Sequence, residues 1–342
     1  MKVLVTGGAG YIGSTVCSAL LDNGHTPIIL DSLTRGREEF VKDRICYHGD
    51  IADRALLEQI FAEHPDISHT IHFAALILVP ESVREPYKYY SQNVAKSLEF
   101  FNILQALGCH RVVFSSSASI YETSNGGEAF ETDRVNAKSP YARTKQIMEM
   151  ILEDIARATK LRGIALRYFN PMGADPRMRS GMQLREVSHI VPKLVEVAMG
   201  RENFFNVCGT EYGTRDGTAI RDYIHIWDLA MAHVKAVEEF DRGFEKAAIQ
   251  GILASDNPNY LVINVGRGDG VTVRELVAMF EKVYGKPVPT KDAQPRPGDV
   301  AGVYANTNRA RDLLGWTAQH SIEDAIATAL EWGKLRKEKI GY

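Results

Sequence analysis

The sequence predicts an α/β fold built on a doubly wound parallel sheet. Short β-branched runs alternate with longer stretches of helical period, starting with residues 2–6 and a helical pattern over residues 12–23. The strand-like runs are apolar on both faces, as in parallel strands that helices cover on both sides. The chain has 342 residues, which is enough for one large unit with an appended smaller lobe.

This alternation supplies six candidate strands and the helices between them. The strand candidates are residues 2–6, 27–31, 44–48, 69–74, 111–116 and 163–168. Segments with apolar residues at spacings of three and four are residues 54–63, 90–107 and 141–159. Right-handed crossovers would place these helices on both faces of a six-stranded sheet.

The regular alternation stops after Tyr168. Residues 170–183 are rich in Gly, Pro and Arg, residues 226–240 form an aliphatic helical pattern, and residues 245–259 are typical of a surface excursion. We therefore predict a discontinuous division into two domains. The larger domain comprises residues 1–170 plus about 217–242, and a smaller C-terminal α/β lobe comprises about 171–216 plus 243–342.

Composition and charge exclude several classes of protein. Lys plus Arg number 40 and Asp plus Glu number 43, so the net charge is −3, and no basic run indicates a nucleic-acid partner. The four cysteines lie far apart without a spacing typical of disulfide or metal sites, which favours a reducing cytoplasm. The apolar run at the N-terminus is too short for a signal peptide or a membrane span, so we expect no membrane segment.

A glycine-rich turn follows the first strand directly. Gly7, Gly10 and Gly13 recur every three residues there, with Tyr11 and Ile12 between the last two. Such glycines allow a tight turn, let the backbone approach a pyrophosphate, and leave the first amides of the helix free for the anion. The alternative is a turn that only packs helix on strand, but the position after a strand favours a dinucleotide site.

Acidic residues after the next two strands indicate where the rest of a dinucleotide binds. Asp31, followed by Ser32, ends the second strand, where a carboxylate accepts hydrogen bonds from the adenosine ribose and repels a 2′-phosphate. NAD is therefore favoured over NADP, although Arg35 is near enough in sequence to bind that phosphate. Asp50 and Ile51 follow the third strand and flank the adenine, or Asp50 caps the next helix.

Tyr141 and Lys145 form a YxxxK pattern on a predicted helix, which places phenol and ammonium one turn apart on one face. We expect the ammonium to lower the pKa of the phenol from its usual value near 10, and we expect a phenolate near a positively charged nicotinamide to act as a base at neutral pH. The serines at 115–117 end a strand at the carboxyl edge of the sheet, where such folds bind ligands. A solvated helix face beside a serine loop is the alternative.

Several motifs together resemble one family over nearly the whole chain. They are VTGGAGYIGS (5–14), HFAA (72–75), ESVREPYKYYSQNV (81–94), SSSASIY (115–121), SPYARTK (139–145), RYFNPMGADP (167–176), DGTAIRDYIHIWDLAMAH (216–233) and RPGD (296–299). As a set they are similar to the UDP-hexose 4-epimerases of the extended short-chain dehydrogenases/reductases. The resemblance implies a Rossmann-type sheet, an NAD cofactor, a UDP-sugar substrate, and a homodimer formed through helices 90–107 and 141–159.

The resemblance also implies roles for single residues. Ser117, Tyr141 and Lys145 match the catalytic Ser, Tyr and Lys. Besides the glycine turn and the acidic positions, the residues that match positions around the cofactor are Phe73, Ala74, Ala75, Asn93, Ser115 and Tyr168. The residues that match substrate positions are Asn170, His189, Ile190, Asn206, Cys208, Arg221, Arg296, Asp299 and Val303. An Arg suits such a site because its guanidinium binds phosphate in bidentate fashion.

The chain departs from the family pattern at several positions. Ile77 replaces a common cationic cofactor contact, Cys208 replaces an aromatic beside the uracil, and residues 188–190 read Ser-His-Ile instead of the usual Asn-Asn-Leu. Val303 lies where members restricted to non-acetylated sugars often carry Tyr. The smaller side chain leaves volume for an N-acetyl group, with an ordinary core position as an equal alternative.

The implied reaction inverts C4 of a hexose through a transient 4-keto sugar. We expect the chain to interconvert UDP-glucose and UDP-galactose, and UDP-GlcNAc and UDP-GalNAc as well. A UDP-glucuronate 4-epimerase uses the same three residues and stays an alternative. A 4,6-dehydratase is disfavoured because residues 117–121 contain no carboxylate. An NAD-sensing protein without turnover is a distant alternative, because such proteins commonly lose the Tyr or the Lys.

Overall fold

A computed structural model of the chain describes residues 1–122, 127–185, 187, 189–295 and 301–342. The strands are β1 (Lys2–Thr6), β2 (Thr26–Asp31), β3 (Cys46–His48), β4 (Ile67–His72), β5 (Arg111–Ser115), β6 (Glu128–Ala129), β7 (Arg162–Tyr168), β8 (Asn170–Met172), β9 (Phe205–Cys208), β10 (Ile220–His225), β11 (Tyr260–Val265), β12 (Gly270–Thr272), β13 (Thr290–Ala293) and β14 (Tyr304–Ala305).

The helices alternate with these strands along the first half of the chain. They are α1 (Tyr11–Asp22), α2 (Arg54–Glu63), α3 (Val79–Arg84), α4 (Pro86–Tyr89), α5 (Lys96–Ala106), α6 (Pro140–Ala158), α7 (Ile190–Ala198), α8 (Ile226–Glu238), α9 (Phe240–Ile249), α10 (Val273–Tyr284), α11 (Asn308–Leu314) and α12 (Ile322–Ile340). A π-helical turn, Tyr90–Ala95, joins α4 to α5. In the part of the chain described, no helix has the length and apolar content that crossing a membrane requires.

The described residues form a parallel sheet of seven strands in the order β11-β7-β5-β4-β1-β2-β3. The chain runs outward from β1 to β3, crosses back, and then runs outward from β4 to β11, so β1 pairs with both β2 and β4. In such sheets the crevice at this reversal, outside the carboxyl ends of the strands, is the usual ligand site. The predicted doubly wound α/β fold is confirmed.

Strand β1 illustrates why both faces of the sheet are apolar. Val3 and Val5 are fully buried in a core that includes residues of α1 and α8, whereas Leu4 is buried in a second core with Phe100 of α5 and Leu152 of α6. Successive side chains of a strand point to opposite faces. Each fully buried aliphatic side chain contributes about 1.5–3 kcal/mol relative to an exposed one. Apolar side chains that point alternately to the two faces of each strand therefore pack the helices against both sides of the sheet.

Two of our expectations about the end of the sheet are wrong. Strand β11, which we assigned to the smaller lobe, pairs along its whole length with β7 and makes the sheet seven-stranded rather than six-stranded. The segment 245–259 is not only a surface excursion, because α9 extends into it to Ile249 and buries Ala247 in the main core. The loop between α9 and β11 hides the strand–helix alternation in the sequence. The rest of the domain division stays a prediction.

A smaller group of elements lies beyond the carboxyl ends of the main sheet. Strand β8 follows β7 almost directly and pairs in parallel with β10, which also pairs antiparallel with β12. The fully buried carboxylate of Asp222 on β10 accepts hydrogen bonds from the amides of Arg267 (2.8 Å), Gly268 (3.0 Å) and Ala305 (3.0 Å). This one side chain thus fixes two separate loops beside β10.

A buried ion pair joins α6 to the main sheet. The Arg167 guanidinium on β7 donates two nearly parallel hydrogen bonds to the Glu149 carboxylate on α6, at 2.7 and 3.0 Å, and both residues are only 6% exposed. Ser116, just after β5, also donates to Glu149, and Arg167 donates to the Tyr121 hydroxyl at 3.0 Å. Both charged groups are buried and pair in bidentate fashion. The loss of either side chain therefore leaves a buried charge without a partner.

We predict that Glu149→Gln lowers the free energy of unfolding by about 3 kcal/mol, because it removes the charge opposite the buried Arg167. Urea denaturation followed by circular dichroism measures this change. The control is Glu153→Gln, four residues along the same helix, whose carboxylate pairs with Arg157 at 3.2 Å on the surface. That control should cost less than about 1 kcal/mol. Equal losses in the two variants would contradict the argument.

Candidate active site

A cleft of about 540 Å³ opens at the carboxyl ends of the strands, beside the reversal of strand order. Most of the residues predicted to surround the cofactor line it. They are Gly7, Gly10, Tyr11, Ile12, Gly13, Asp31, Ser32, Asp50, Ile51, Phe73, Ala74, Ala75 and Tyr168. Lys145 from α6 and His189 from the smaller lobe also line the cleft. Cofactor positions and one catalytic position therefore share a single space.

The glycine turn is required by close packing. A Cβ on Gly13 would lie 2.2 Å from the Gly7 carbonyl oxygen, and a Cβ on Gly7, whose φ is +71°, would lie 2.8 Å from the Ala74 nitrogen. Among the described residues, no side chain caps the N-terminus of α1 at Gly10. The first amides and the dipole of α1 thus face the cleft, where they suit an anionic diphosphate. The turn packs helix on strand and also fits a dinucleotide.

The end of β2 carries the predicted ribose acceptor. The Asp31 carboxylate accepts hydrogen bonds from the amides of Ala9 (2.9 Å) and Leu33 (2.8 Å), while burial raises its pKa above the usual value. The Arg35 guanidinium is paired with Glu81 at 2.9 Å rather than held open for a 2′-phosphate. The charges around Asp31 therefore agree with NAD.

Asp50 lies in the cleft and does not cap the next helix. The N-cap of α2 is Asp53, which accepts a hydrogen bond from the Leu56 amide at 3.1 Å. Asp50 instead accepts a hydrogen bond from Lys96 of α5. The capping alternative for Asp50 is therefore wrong, and the position beside the adenine stays a prediction.

Helix α6 positions the YxxxK pair. Ser139 caps the helix by accepting a hydrogen bond from the Ala142 amide (3.2 Å), and Pro140 occupies the first turn, as Pro often does. Tyr141 therefore sits in the first turn of α6 and Lys145 one turn later. The Lys145 ammonium donates to the Ser115 carbonyl oxygen at 2.6 Å, at the end of β5.

Two hydroxyls from the sheet edge complete this group. The Ser117 hydroxyl lies close enough to the Tyr141 phenol to lower its pKa by hydrogen bonding. The Ser115 hydroxyl lies 2.7 Å from the Tyr168 hydroxyl at the end of β7. The ends of β5 and β7 and the first two turns of α6 therefore converge on one corner of the cleft.

Burial, rather than Lys145, sets the direction of the Tyr141 pKa in the chain without cofactor. Burial raises the pKa of Tyr141 to about 12, and the opposing hydrogen bond from Ser117 is the smaller effect. Burial also lowers the pKa of Lys145 to about 7, against the attraction of Glu149. Desolvation disfavours the charged form of each group, so both pKa values move toward the neutral pair. A positive charge beside the phenol, such as that of the expected nicotinamide, opposes this effect of burial.

Asn93 does not line the cleft, although it matches a cofactor position. Its side-chain oxygen accepts a hydrogen bond from the Leu76 amide at 2.8 Å. Its side-chain nitrogen donates to the Leu76 carbonyl oxygen (2.9 Å) and the Thr144 hydroxyl (3.1 Å). Asn93 thus ties the cleft wall at Leu76 to α6, between Tyr141 and Lys145.

Among the predicted substrate residues that the structure describes, only His189 lines the cleft. His189 lines the cleft and precedes Ile190, the first residue of α7. Arg221 on β10 donates to the Ile220 carbonyl oxygen at 2.7 Å, and the Asn170 amide donates to the Asp222 carbonyl oxygen at 3.0 Å. The two side chains therefore contact strand β10.

The remaining substrate positions are divided between two places. Asn206 and Cys208 lie on β9, with the Cys208 sulfur 3.8 Å from the Asn206 carbonyl oxygen. Val303 is buried in a small cluster with Tyr121 and Phe169, against which Ala118 packs, one residue from Ser117. The predicted positions Arg296 and Asp299 lie outside the described residues.

Sequence reasoning missed part of the cleft wall. Met182, Gln183 and Leu184 of the smaller lobe line the cleft, together with Lys96 of α5. Met182 and Gln183 lie in the stretch 170–183, which the sequence predicts only by its Gly, Pro and Arg content. Gln183 contacts Arg35 and Met182 contacts Trp332, each about 150 residues away in the chain. A local sequence motif does not predict contacts over that separation.

A glycine turn, a carboxylate at the end of the second strand and a Ser-Tyr-Lys group around one cleft define an NAD-dependent enzyme with a Rossmann-type fold. A sequence profile described as the NAD dependent epimerase/dehydratase family matches residues 3–250. The chain belongs to that family.

Individual relatives cover nearly the whole chain. The UDP-glucose 4-epimerase of Rhizobium leguminosarum bv. trifolii is 40% identical over 330 residues, which cover 96% of each chain. A crystal structure of UDP-glucose-4-epimerase from Stenotrophomonas maltophila, with bound NAD and formylated UDP-arabinopyranose, superposes with a TM-score of 0.91 at 35% identity and 99% coverage of both chains. The enzyme from Bifidobacterium longum, in complex with NAD⁺ and UDP, gives 0.88 at 33% identity and 100% coverage of both.

Proposed function

We propose that the protein is an NAD-dependent 4-epimerase that interconverts UDP-glucose and UDP-galactose. The observation that carries this proposal is a cleft lined by the glycine turn, Asp31 and Lys145, with Tyr141 one helical turn before Lys145 and the Ser117 hydroxyl beside the Tyr141 phenol. The relatives that match 96% of the chain and more are named UDP-glucose 4-epimerases.

Three residues handle the proton of the hydroxyl group at C4 of the hexose, and each has its own role. Bound NAD supplies a positively charged ring that takes a hydride from C4 of the sugar and later returns it. Tyr141 accepts the proton of the C4 hydroxyl and gives it back after the keto sugar has turned over. Ser117 donates a hydrogen bond to the phenol oxygen and stabilises its ionised form. Lys145, anchored by the Ser115 carbonyl oxygen, lies one helical turn away.

The sugar must present both faces of C4 to one position, so tight binding of the hexose itself would slow the reaction. Binding energy is therefore best placed on the nucleotide diphosphate, away from the reacting carbon. Arg221 and Asn170 on the smaller-lobe side suit that role, since a guanidinium and an amide both donate to phosphate and carbonyl oxygens.

We predict that Tyr141→Phe lowers kcat for UDP-galactose by about 10²-fold or more, because it removes the group that accepts and returns the proton. Epimerisation is followed by coupled oxidation of the UDP-glucose formed, with UDP-glucuronate offered in parallel. Tyr47→Phe, which alters a phenol on the surface beside Glu63, is the matched control and should keep full activity.

The NAD content of purified Tyr141→Phe separates the possible outcomes. Retained NAD with lost turnover supports the proposal. Wild-type protein that holds NAD but turns over no UDP-hexose would be the sensor instead, and turnover of UDP-glucuronate alone would replace the proposed substrate. Full activity in Tyr141→Phe would refute the mechanism.

The same cleft accommodates N-acetylated sugars in this proposal. Val303 and Ala305 are buried in one small cluster with Tyr121 and Phe169, and Ala118, which follows Ser117 in the chain, packs against it. Space beside the reacting carbon suits the acetamido group of UDP-GlcNAc and UDP-GalNAc, where a larger residue would clash. Val303 thereby acts as a specificity residue rather than only as core.

We predict that Val303→Tyr lowers turnover of UDP-GalNAc by about tenfold or more, while turnover of UDP-galactose changes by less than about threefold. The two substrates are assayed side by side on the same preparation. Val303→Ile is the control, since it adds only one methylene and should preserve both activities. An equal loss on both substrates, with a lower melting temperature, would identify Val303 as an ordinary core residue.

The enzyme acts as a homodimer in the cytoplasm in this proposal. Helices α5 and α6 are neighbours, and each exposes a large apolar side chain, Leu98 (46% exposed) and Met150 (56% exposed). Exposed apolar side chains on two neighbouring helices suit contact with a second copy. The four cysteines, all within the described residues, are unpaired thiols, as suits a reducing compartment.

We predict that the wild type sediments at twice the monomer mass of 38.0 kDa and that Leu98→Glu shifts it toward monomer. A charge placed in an apolar interface is desolvated without a partner, so the dimer is weakened. Ile249→Glu on α9 is the control, because Ile249 is also exposed but lies on another helix. A monomeric wild type, or equal dissociation in both variants, would contradict this interface.

A further inference from the structure

The side chain of Gln183 lines the cofactor cleft from the smaller lobe and is 6% exposed. Its nitrogen Nε2 donates to the Arg35 carbonyl oxygen at 3.2 Å. Its oxygen Oε1 is buried and has no hydrogen-bond partner among the described residues. A buried amide oxygen without a partner is costly, and in native proteins it commonly marks a place that a ligand or a water fills.

The orientation of this amide follows from its partner. A carbonyl oxygen only accepts hydrogen bonds, so the group that faces Arg35 must be the NH₂ of Gln183. The side-chain oxygen is therefore directed away from the Arg35 backbone and can only accept. A ligand group that satisfies it must carry an O–H or N–H donor.

The attachment to Arg35 places Gln183 at the end of the cleft that holds Asp31. The residue after Arg35, Gly36, is so close to Asp31 that a Cβ there would lie 2.8 Å from a carboxylate oxygen. Gln183 thus belongs to the same corner as the carboxylate predicted to bind the adenosine ribose. A ribose offers two hydroxyl donors there, and Asp31 and Gln183 offer acceptors from two different lobes.

We propose that Gln183 Oε1 accepts a hydrogen bond from a hydroxyl of the adenosine ribose of NAD, so that the smaller lobe holds the cofactor as well as the substrate. This inference rests on the NAD-binding part of the proposed function. The neutral acceptor, next to Asp31, also leaves no donor for a 2′-phosphate at that point, and it therefore adds to the preference for NAD.

Tyr342 holds the segment that carries Gln183. The Tyr342 hydroxyl donates to the Gln183 carbonyl oxygen, and Trp332 Nε1 donates to the Met182 carbonyl oxygen at 3.0 Å. The Tyr342 ring lies 4.4 Å from the Arg185 guanidinium and 5.1 Å from that of Arg37. Contacts between cations and the face of a phenol ring fix the ring in place. Tyr342 is therefore a positioning residue for Gln183.

The test measures how fast the holoenzyme releases its dinucleotide in a chase with excess unlabelled NAD. The enzyme is loaded with labelled NAD or with its 2′-deoxyadenosine, 3′-deoxyadenosine or hypoxanthine analogue. In Gln183→Leu, NAD should leave roughly three- to tenfold faster, the range for one hydrogen bond. The analogue that lacks the hydroxyl bound by Gln183 should leave at the same rate from the variant as from the wild type.

Other patterns of release overturn the proposal. An equal acceleration for NAD and both deoxy analogues would mean that Gln183 only supports the fold, and no acceleration of NAD would mean that a water satisfies the amide. Insensitivity confined to the hypoxanthine analogue would assign Gln183 to the adenine amino group instead. Gln59→Leu, a surface glutamine on α2 that bonds Glu63, is the control and should release all four ligands normally.

Tyr342→Phe keeps the test decisive if Gln183→Leu folds poorly. The hydroxyl is removed while the ring stays between the guanidinium groups, so NAD release should accelerate and discrimination against one deoxy analogue should shrink. In the double variant the two effects should not add, since Tyr342 acts through Gln183. Additive effects would overturn the positioning role. Turnover of UDP-galactose by the wild type tests the proposed function separately, since dinucleotide release requires no sugar.

Discussion

The candidate active site depends on the buried ion pair between Glu149 and Arg167. Glu149 lies one turn beyond Lys145 on α6, and Arg167 precedes Tyr168 on β7, so the pair fixes the helix of the YxxxK residues against the strand that ends beside them. Ser116 donates to the same carboxylate, which adds the end of β5. A network of this kind is rigid when every member is satisfied. The position of Lys145 against the end of β5 is thereby fixed as well.

A second set of contacts fixes the other wall of the cleft. The Tyr11 hydroxyl of α1 donates to the Gly173 carbonyl oxygen at 2.6 Å, and Thr15, one turn later, lies 3.2 Å from the Ser180 hydroxyl. The helix whose N-terminus faces the diphosphate is therefore docked against the same segment that leads to Gln183. Binding of a dinucleotide would join groups from both lobes, and such a ligand is released only when contacts on both sides are broken.

The parts of the molecule that the sequence predicts well are those set by neighbours in the chain. Alternating strands and helices, the glycine turn with Asp31, and the one-turn spacing of Tyr141 and Lys145 are all local patterns. Strand β11 and the acceptor Gln183 are not local, since Gln183 meets Arg35 across 148 residues. The pKa of Tyr141 is equally non-local, because burial and not the neighbouring Lys145 sets its direction. The spacing in the sequence predicted that Tyr141 and Lys145 lie near each other, but not how strongly burial desolvates them.

The desolvation of Tyr141 and Lys145 determines when the phenol can act as a base. With the pKa of Tyr141 near 12 and that of Lys145 near 7, the buried pair favours a neutral phenol and weakly holds its ammonium proton. A proton moved from the phenol to the amine would create two charges where burial opposes both. A positive charge brought into the cleft stabilises the phenolate directly, whereas Lys145 alone does not. The base is therefore made strong enough for a sugar hydroxyl only in the assembled site, and the cofactor-free protein keeps it neutral.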